Sequence, residues 1–149
     1  KKRPVLSSAS AYVITDILSD NVARQSAFGP NSQLEIPGYK VAVKTGTTDS
    51  KKDNWTIGYT PEFLVSVWVG NNNNSPMNPA LASGVTGAAP IWNRVMSMLL
   101  KNYSTQNTWF NKPESVVSKP CIGGKVEYFM AGTENSVNCR IPASPTPTP

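Results

Sequence analysis

Apolar positions recur along this chain at two different periods, and the switches between them set the order of elements. From Ser7 to Arg24, Tyr12, Val13, Ile14, Ile17 and Leu18 return at three- and four-residue spacing. That spacing predicts a helix, with Ser7, Ser8 or Ser10 available to cap its start. Gly29-Pro30-Asn31-Ser32 breaks the pattern, and Pro37-Gly38 marks a second turn. Three strand-like segments follow, Tyr39 to Thr47, Trp55 to Thr60 and Phe63 to Val69, the last being the most apolar run in the chain. Thr60-Pro61-Glu62 is short enough to close a hairpin between the last two, which makes them antiparallel. A loop without regular pattern, Asn71 to Ser83, leads to a second helix from about Thr86 to Tyr103. There Ile91, Val95 and Leu99 form one stripe and Trp92, Met96 and Leu100 its neighbour, while Pro90 fits only the first turn. The order helix, three strands, helix describes an α+β fold, a small antiparallel sheet flanked by helices. Beyond Ser104 the helical period ends, only Lys125 to Met130 reads as a strand, and Ser144 to Pro149 is a Pro/Thr-rich tail or linker.

Composition narrows the chemistry. With 149 residues the chain is about one ordinary domain, and it contains no histidine. A Ser-His-Asp or Cys-His device, an imidazole metal site and a histidine proton switch are therefore excluded within it. Two cysteines cannot form a four-thiolate site alone, so a structural zinc or an iron–sulfur cluster is not expected. Lys+Arg 14 against Asp+Glu 9 gives a net charge of +5, which suits an anionic partner. No concentrated Lys/Arg stripe or stacking-aromatic motif accompanies it, so a nucleic-acid partner is not expected. No apolar run approaches the roughly 20 residues that span a bilayer, and the basic start Lys1-Lys2-Arg3 is not followed by a signal-peptide core.

One short segment carries candidate chemistry. Lys44-Thr45-Gly46-Thr47-Thr48 closes the first predicted strand. Side chains alternate along a strand, so Thr45 and Thr47 share one face and Lys44 and Gly46 the other. Two hydroxyls in line can hold a carboxylate, and a lysine behind them supplies positive potential. Gly46 removes bulk where another body approaches, and the Thr47 N–H can serve as an oxyanion donor at a cleft. The plain alternative is a strand end with a glycine turn and two solvated threonines.

The wider context of that segment resembles a known family. Val41-Ala42-Val43-Lys44-Thr45-Gly46-Thr47-Thr48, then Asn54-Trp55-Thr56-Ile57-Gly58-Tyr59-Thr60-Pro61, then Val67-Trp68-Val69-Gly70-Asn71 look like the end of the transpeptidase domain of class A (bifunctional) penicillin-binding proteins. These are serine penicillin-recognising enzymes, whose third signature is Lys-Thr-Gly. Thr86-Gly87-Ala88-Ala89-Pro90-Ile91-Trp92 is similar to the opening of that domain's last helix. Tyr128-Phe129-Met130-Ala131-Gly132-Thr133-Glu134 followed by Cys139 is similar to a segment beyond it. The family's Ser-x-x-Lys nucleophile motif is absent, since no lysine here has a serine three residues before it. Ser19-Asp20-Asn21 matches Ser-x-Asn literally, but 16 serines and 14 asparagines make one or two such matches by chance, and a helix C-terminus is the reading adopted.

The resemblance implies the C-terminal lobe of a β-lactamase/transpeptidase-like fold, with residues 1–103 as the end of the transpeptidase domain. Residues 104–143 would then be a small tail subdomain and 144–149 the tail. It implies a parent that cross-links peptidoglycan stem peptides by serine acyl transfer, with D-Ala-D-Ala stems and β-lactams as its ligands. Lys44 would give electrostatic and proton-relay support and Thr47 an oxyanion donor, both catalytic. Thr45, Gly46, Thr47 and Thr48 would bind substrate, and no metal or organic cofactor is called for. The chain alone would be inactive, would need the missing N-terminal part of its own domain or else self-associate, and would reach a membrane only through the parent's anchor. An extracytoplasmic site would permit a Cys121–Cys139 bridge, which in the chain-entropy model is worth about 3 kcal/mol. Trp55 and Trp68 are expected in or beside the core. The alternative function is a non-catalytic wall-binding module in which the same strand merely holds a carboxylate.

Overall fold

Trp92, Met96 and Leu100 recur every four residues, and in the computed structural model this stripe is what the sheet closes against. The structure describes residues 3–79, 83, 86–105, 108–121, 124–137 and 139. The element order is α1 (Ser8–Ser19), α2 (Asn21–Phe28), β1 (Ala42–Thr47), β2 (Asp53–Tyr59), β3 (Leu64–Gly70), α3 (Ala88–Tyr103), β4 (Val116–Pro120) and β5 (Val126–Met130). The fold class is α+β, with a three-stranded antiparallel sheet ordered β1-β2-β3 and a two-stranded sheet β4-β5. The Pro149-terminal tail, residues 144–149, and positions 80–82 of the Asn71 to Ser83 loop lie outside the described residues.

The chain falls into two compact units, Thr15–Phe110 and the pairing of Lys1–Ile14 with Asn111–Pro149. In the first, the sheet lays Val43, Thr56, Gly58, Val65 and Val67 on the face toward α3. Its core is Leu34, Ile36, Val41, Val43, Val65, Ala89, Trp92, Met96 and Leu100. Burying an indole such as that of Trp92 contributes roughly 4–6 kcal/mol as an upper bound from area. The close approach depends on Gly58, where an added Cβ would lie 2.3 Å from Trp92 Cζ2. Ile91 and Val95, the neighbouring stripe, stay exposed.

Several local features depart from expectation for identifiable reasons. The predicted first helix is two helices, because the Asp20 side chain accepts the Ala23 N–H at 2.9 Å and starts α2 as an N-cap. Ser19 is accordingly the last residue of α1, its hydroxyl donating to the Asp16 carbonyl. Ser7 caps α1 by accepting the Ser10 N–H. Trp55 and Trp68 face each other across β2 and β3 on the side away from α3, and are 43% and 41% exposed rather than packed in the core. Strand alternation decides this: both stand one residue out of phase with buried Asn54, Thr56 and Val65.

In the second unit, Lys125 to Met130 does form a strand, but it pairs with an unexpected partner, β4. The five residues Val116–Pro120 are too few for periodicity to separate from loop. Among the described residues this unit buries only Ala9, Tyr12 and Val116 as hydrophobics, with Tyr12 edge-on to Tyr128 at 5.5 Å. Cys121 and Cys139 are joined in a disulfide with their Cα atoms 4.5 Å apart.

Two outcomes follow from this packing. Gly58→Ala destabilises the sheet–α3 unit by about 3 kcal/mol, read as a lowered denaturant midpoint, because neither the indole nor the backbone has room to yield; an unchanged midpoint contradicts the Gly58–Trp92 contact. Reduction, or Cys121→Ser, removes about 3 kcal/mol from a unit with so small a core. Limited proteolysis with mass spectrometry then shows faster cleavage within 111–139, and equal rates with and without reductant contradict this.

Candidate functional site at the edge of the sheet

Lys44, Thr45, Gly46 and Thr47 lie on β1, which has β2 on one side and no strand on the other among the described residues. In an antiparallel ladder, residues alternate between pointing their backbone groups at the partner and away from it. The Thr48 N–H donates to the Asp53 carbonyl at 3.1 Å, continuing the ladder by one rung. Ala42, Lys44 and Gly46, in phase with Thr48, turn their N–H and C=O toward β2. Val43, Thr45 and Thr47 turn theirs to the open edge. The Lys44 ammonium bends onto the Thr45 carbonyl at that edge, at 2.5 Å.

Side chains alternate as well. Thr45 is half-buried and pairs with Thr56, whose buried hydroxyl has no hydrogen-bond partner among the described residues. Thr47 pairs with Asn54 and accepts a hydrogen bond from its Nδ2 at 2.9 Å. Lys44 and Gly46 stand on the opposite face with Ile57 and Trp55. A Cβ on Gly46 would meet only Trp55 Cβ at 3.9 Å, an ordinary contact. Gly46 is thus unlike Gly58: nothing in this fold requires it to be glycine.

Thr48 has a turn-closing role. Its hydroxyl accepts the N–H groups of Lys52 and Asp53, at 3.1 and 3.0 Å, and so fixes the β1–β2 loop. Lys51 and the Thr48 carbonyl complete that turn, with Lys51 in the left-handed region at φ 55°.

A groove of about 280 Å³ runs along β1, walled by apolar residues including Leu18, Phe28 and Val43, with Asp20, Arg24, Lys44 and Thr45 as its polar groups. Arg24 donates to the carbonyls of Leu18 and Leu34. Partial burial pulls its guanidinium below the ordinary arginine range, against the opposing pull of Asp20 and Glu35. Among the described residues no cluster of three His, Cys, Asp or Glu side chains could hold a metal, and no helix is long and apolar enough to cross a membrane.

Two residues beside this strand belong to none of the candidate site residues read from the sequence. Arg24 sits in an ordinary helical stretch, and only the fold brings it beside Lys44. Asn54 is fully buried, with 0% exposure, and its Oδ1 accepts the Ala88 N–H at the start of α3 at 2.7 Å. A polar residue on the apolar-facing register of β2 was the available signal.

The model of the penicillin-binding protein transpeptidase domain matches residues 1–97. The chain is 35% identical over 134 residues to penicillin-binding protein 1A of Clostridium acetobutylicum, covering 90% of this chain and 15% of that protein. It is 28% identical over 146 residues to penicillin-binding protein 1A/1B of Bacillus subtilis, covering 89% of this chain and again 15% of the relative. A crystal structure of penicillin-binding protein 1A from Haemophilus influenzae superimposes with a TM-score of 0.70 at 26% identity, over 87% of this chain and 21% of that one. The chain therefore spans about one-seventh of the length of the curated relatives it matches.

The contrast between glycines gives a direct test. Gly46→Ala leaves the thermal midpoint unchanged or slightly raised, since alanine in a strand loses less backbone entropy, by roughly 0.5–1 kcal/mol. A clear drop in that midpoint would mean that the fold itself needs the glycine.

Proposed function

This chain belongs to the penicillin-binding protein transpeptidase family, and on that premise we propose that it supplies the Lys-Thr-Gly edge of a serine D,D-transpeptidase site. The observation that carries this reading is the open edge of β1, where the Thr47 N–H points outward three residues after Lys44. The nucleophilic serine belongs to a part of the domain outside this sequence, which holds no Ser-x-x-Lys.

In the proposed reaction that serine's Oγ attacks the carbonyl carbon of the D-Ala-D-Ala peptide bond. The bond to the terminal D-alanine breaks, its amine leaves with a proton, and an acyl-serine remains. An amine on a neighbouring stem attacks the acyl carbon and restores the serine hydroxyl. β-Lactams acylate the same serine by opening their ring. The charge developing on the carbonyl oxygen is met by the Thr47 N–H together with the nucleophile's own backbone N–H. Such donors act without reorganising, because a ladder holds the strand that bears one of them.

Thr45 and Thr47 hold the terminal carboxylate through their hydroxyls. Lys44 raises the local potential and supports proton movement at the serine, in a chain that itself holds no histidine. Gly46 keeps the strand thin where ligand or the rest of the domain comes close, consistent with the open space above it. Thr48 closes the strand, its hydroxyl accepting the two N–H groups that shape the turn while its proton stays available to the substrate. Under this reading the chain works outside the cytoplasm, where a disulfide such as Cys121–Cys139 is chemically stable.

Labelling with a fluorescent penicillin tests the assignment in the protein that carries this chain with the remainder of its domain. Lys44→Ala slows covalent labelling about 100-fold or more, on the scale of losing a preorganised charge-stabilising group. Gly46→Ala slows it while leaving the fold intact, and the isolated chain forms no adduct that survives denaturation. Covalent labelling of the isolated chain, or an unchanged rate in Lys44→Ala, would overturn the reading.

A further inference from the structure

The Asn54 side chain on β2 joins the start of α3 to β1. Its Oδ1 accepts from the Ala88 N–H, at 2.7 Å, and its Nδ2 donates to Thr47 Oγ1, at 2.9 Å. The Asn54 side chain is wholly buried and its bond to Ala88 is closed to water, while the bond to Thr47 ends on an exposed residue. Ala88 is the first residue of α3, and its N–H has no acceptor inside the helix. Gly87, at the cap position, has no side chain to offer, so the acceptor comes from the sheet.

The direction of hydrogen bonding follows from donor and acceptor types alone. A backbone N–H only donates, so the oxygen of the Asn54 amide must face Ala88. That leaves the amide nitrogen facing Thr47. An amide nitrogen also only donates, so the Thr47 hydroxyl must accept from it. The hydroxyl proton is then excluded from the inner side and directed outward.

We infer that Asn54 is a positioning residue for ligand recognition: it fixes the polarity of the Thr47 hydroxyl as an outward donor, the polarity that an anionic carboxylate needs. A hydroxyl free to rotate can turn its proton inward and leave only lone pairs for a ligand; this one, with one lone pair held by the amide, keeps its proton on the ligand side. The first N–H of α3 thereby reaches the ligand edge through two side chains. Accepting from the amide also polarises the hydroxyl and strengthens its donation. Thr45 has no equivalent, since its cross-strand neighbour is Thr56, whose hydroxyl can point either way.

This inference rests on the assignment of Thr47 to carboxylate binding, and the test separates the two. In the protein carrying the complete domain, acylation rate constants are measured for a penicillin with a free carboxylate and for its methyl ester. The ratio between them reports carboxylate recognition and is indifferent to general damage, which slows both. Asn54→Ala lowers that ratio about fivefold to tenfold, the scale of weakening one hydrogen bond to a charged group. In a Thr47→Val background Asn54→Ala lowers it no further, because the hydroxyl through which it acts is gone.

Asn54→Ser, which keeps a polar atom at the position, takes the place of alanine if thermal melting shows that alanine there unfolds the protein. Asn54→Asp is the charge control. A ratio that falls only in Asn54→Asp reflects repulsion by a new carboxylate and overturns the inference. So does an unchanged ratio in the uncharged variants, or an additive effect in the double variant. If Thr47→Val alone leaves the ratio unchanged, the carboxylate assignment of Thr47 fails first, and this inference with it.

Discussion

The indole of Trp92 lies against the backbone of Gly58, and the geometry of the β1 edge descends from that contact. With no side chain at residue 58, α3 settles onto β2 closely enough for its first N–H to reach Asn54. Asn54 in turn reaches Thr47 on β1. A bulkier residue at 58 would separate helix from sheet, and the polar connection between Ala88 and Thr47 would open with it. The strand that carries the candidate chemistry is thus held by β2 on one side, by Val43 in the core beneath it, by the Thr48 turn at its end, and by a buried amide. Its other edge is left without a strand among the described residues.

An open edge is ordinarily a hazard for a sheet, since it presents unpaired backbone groups to any extended chain. The same property is useful where a peptide-like ligand must be bound along the backbone and its carbonyl polarised. Both uses require a strand that stays straight and does not shift. The distribution of glycines fits that division. Gly58 and Gly70 are needed by the fold, where a Cβ would come within 2.3 and 2.4 Å of a tryptophan ring, whereas Gly46 sits under open space on the strand that faces out.

The elements legible from sequence were those with long or chemically marked patterns. The Trp92, Met96 and Leu100 stripe, the Thr60 to Phe63 hairpin and the Lys44 to Thr47 strand all stand close to where periodicity and turn chemistry put them. The break at Asp20 was not legible because the apolar spacing runs straight through it, and only the cap bond to Ala23 separates two helices from one. For Trp55 and Trp68 aromatic content suggests a place in or beside the core, while the two-residue phase of the strand puts both on the half-exposed face away from α3. At the site, Lys44, Thr45 and Thr47 were readable from a motif. Thr48's turn bonds and the placement of Arg24 and Asn54 were not, because each depends on a partner distant in sequence or on a backbone turn that no residue pattern encodes.

In the proposed site the outward Thr47 N–H and the Thr45 and Thr47 hydroxyls face the reacting ligand. A crystal structure of the penicillin-acylated protein, with this chain in its complete domain, tests that placement most directly. The acyl carbonyl oxygen is expected about 2.7–3.1 Å from the Thr47 nitrogen, with the ligand carboxylate within hydrogen-bond reach of both hydroxyls. An adduct whose carbonyl oxygen lies away from β1, or a β1 edge closed by another strand of the domain, would contradict it.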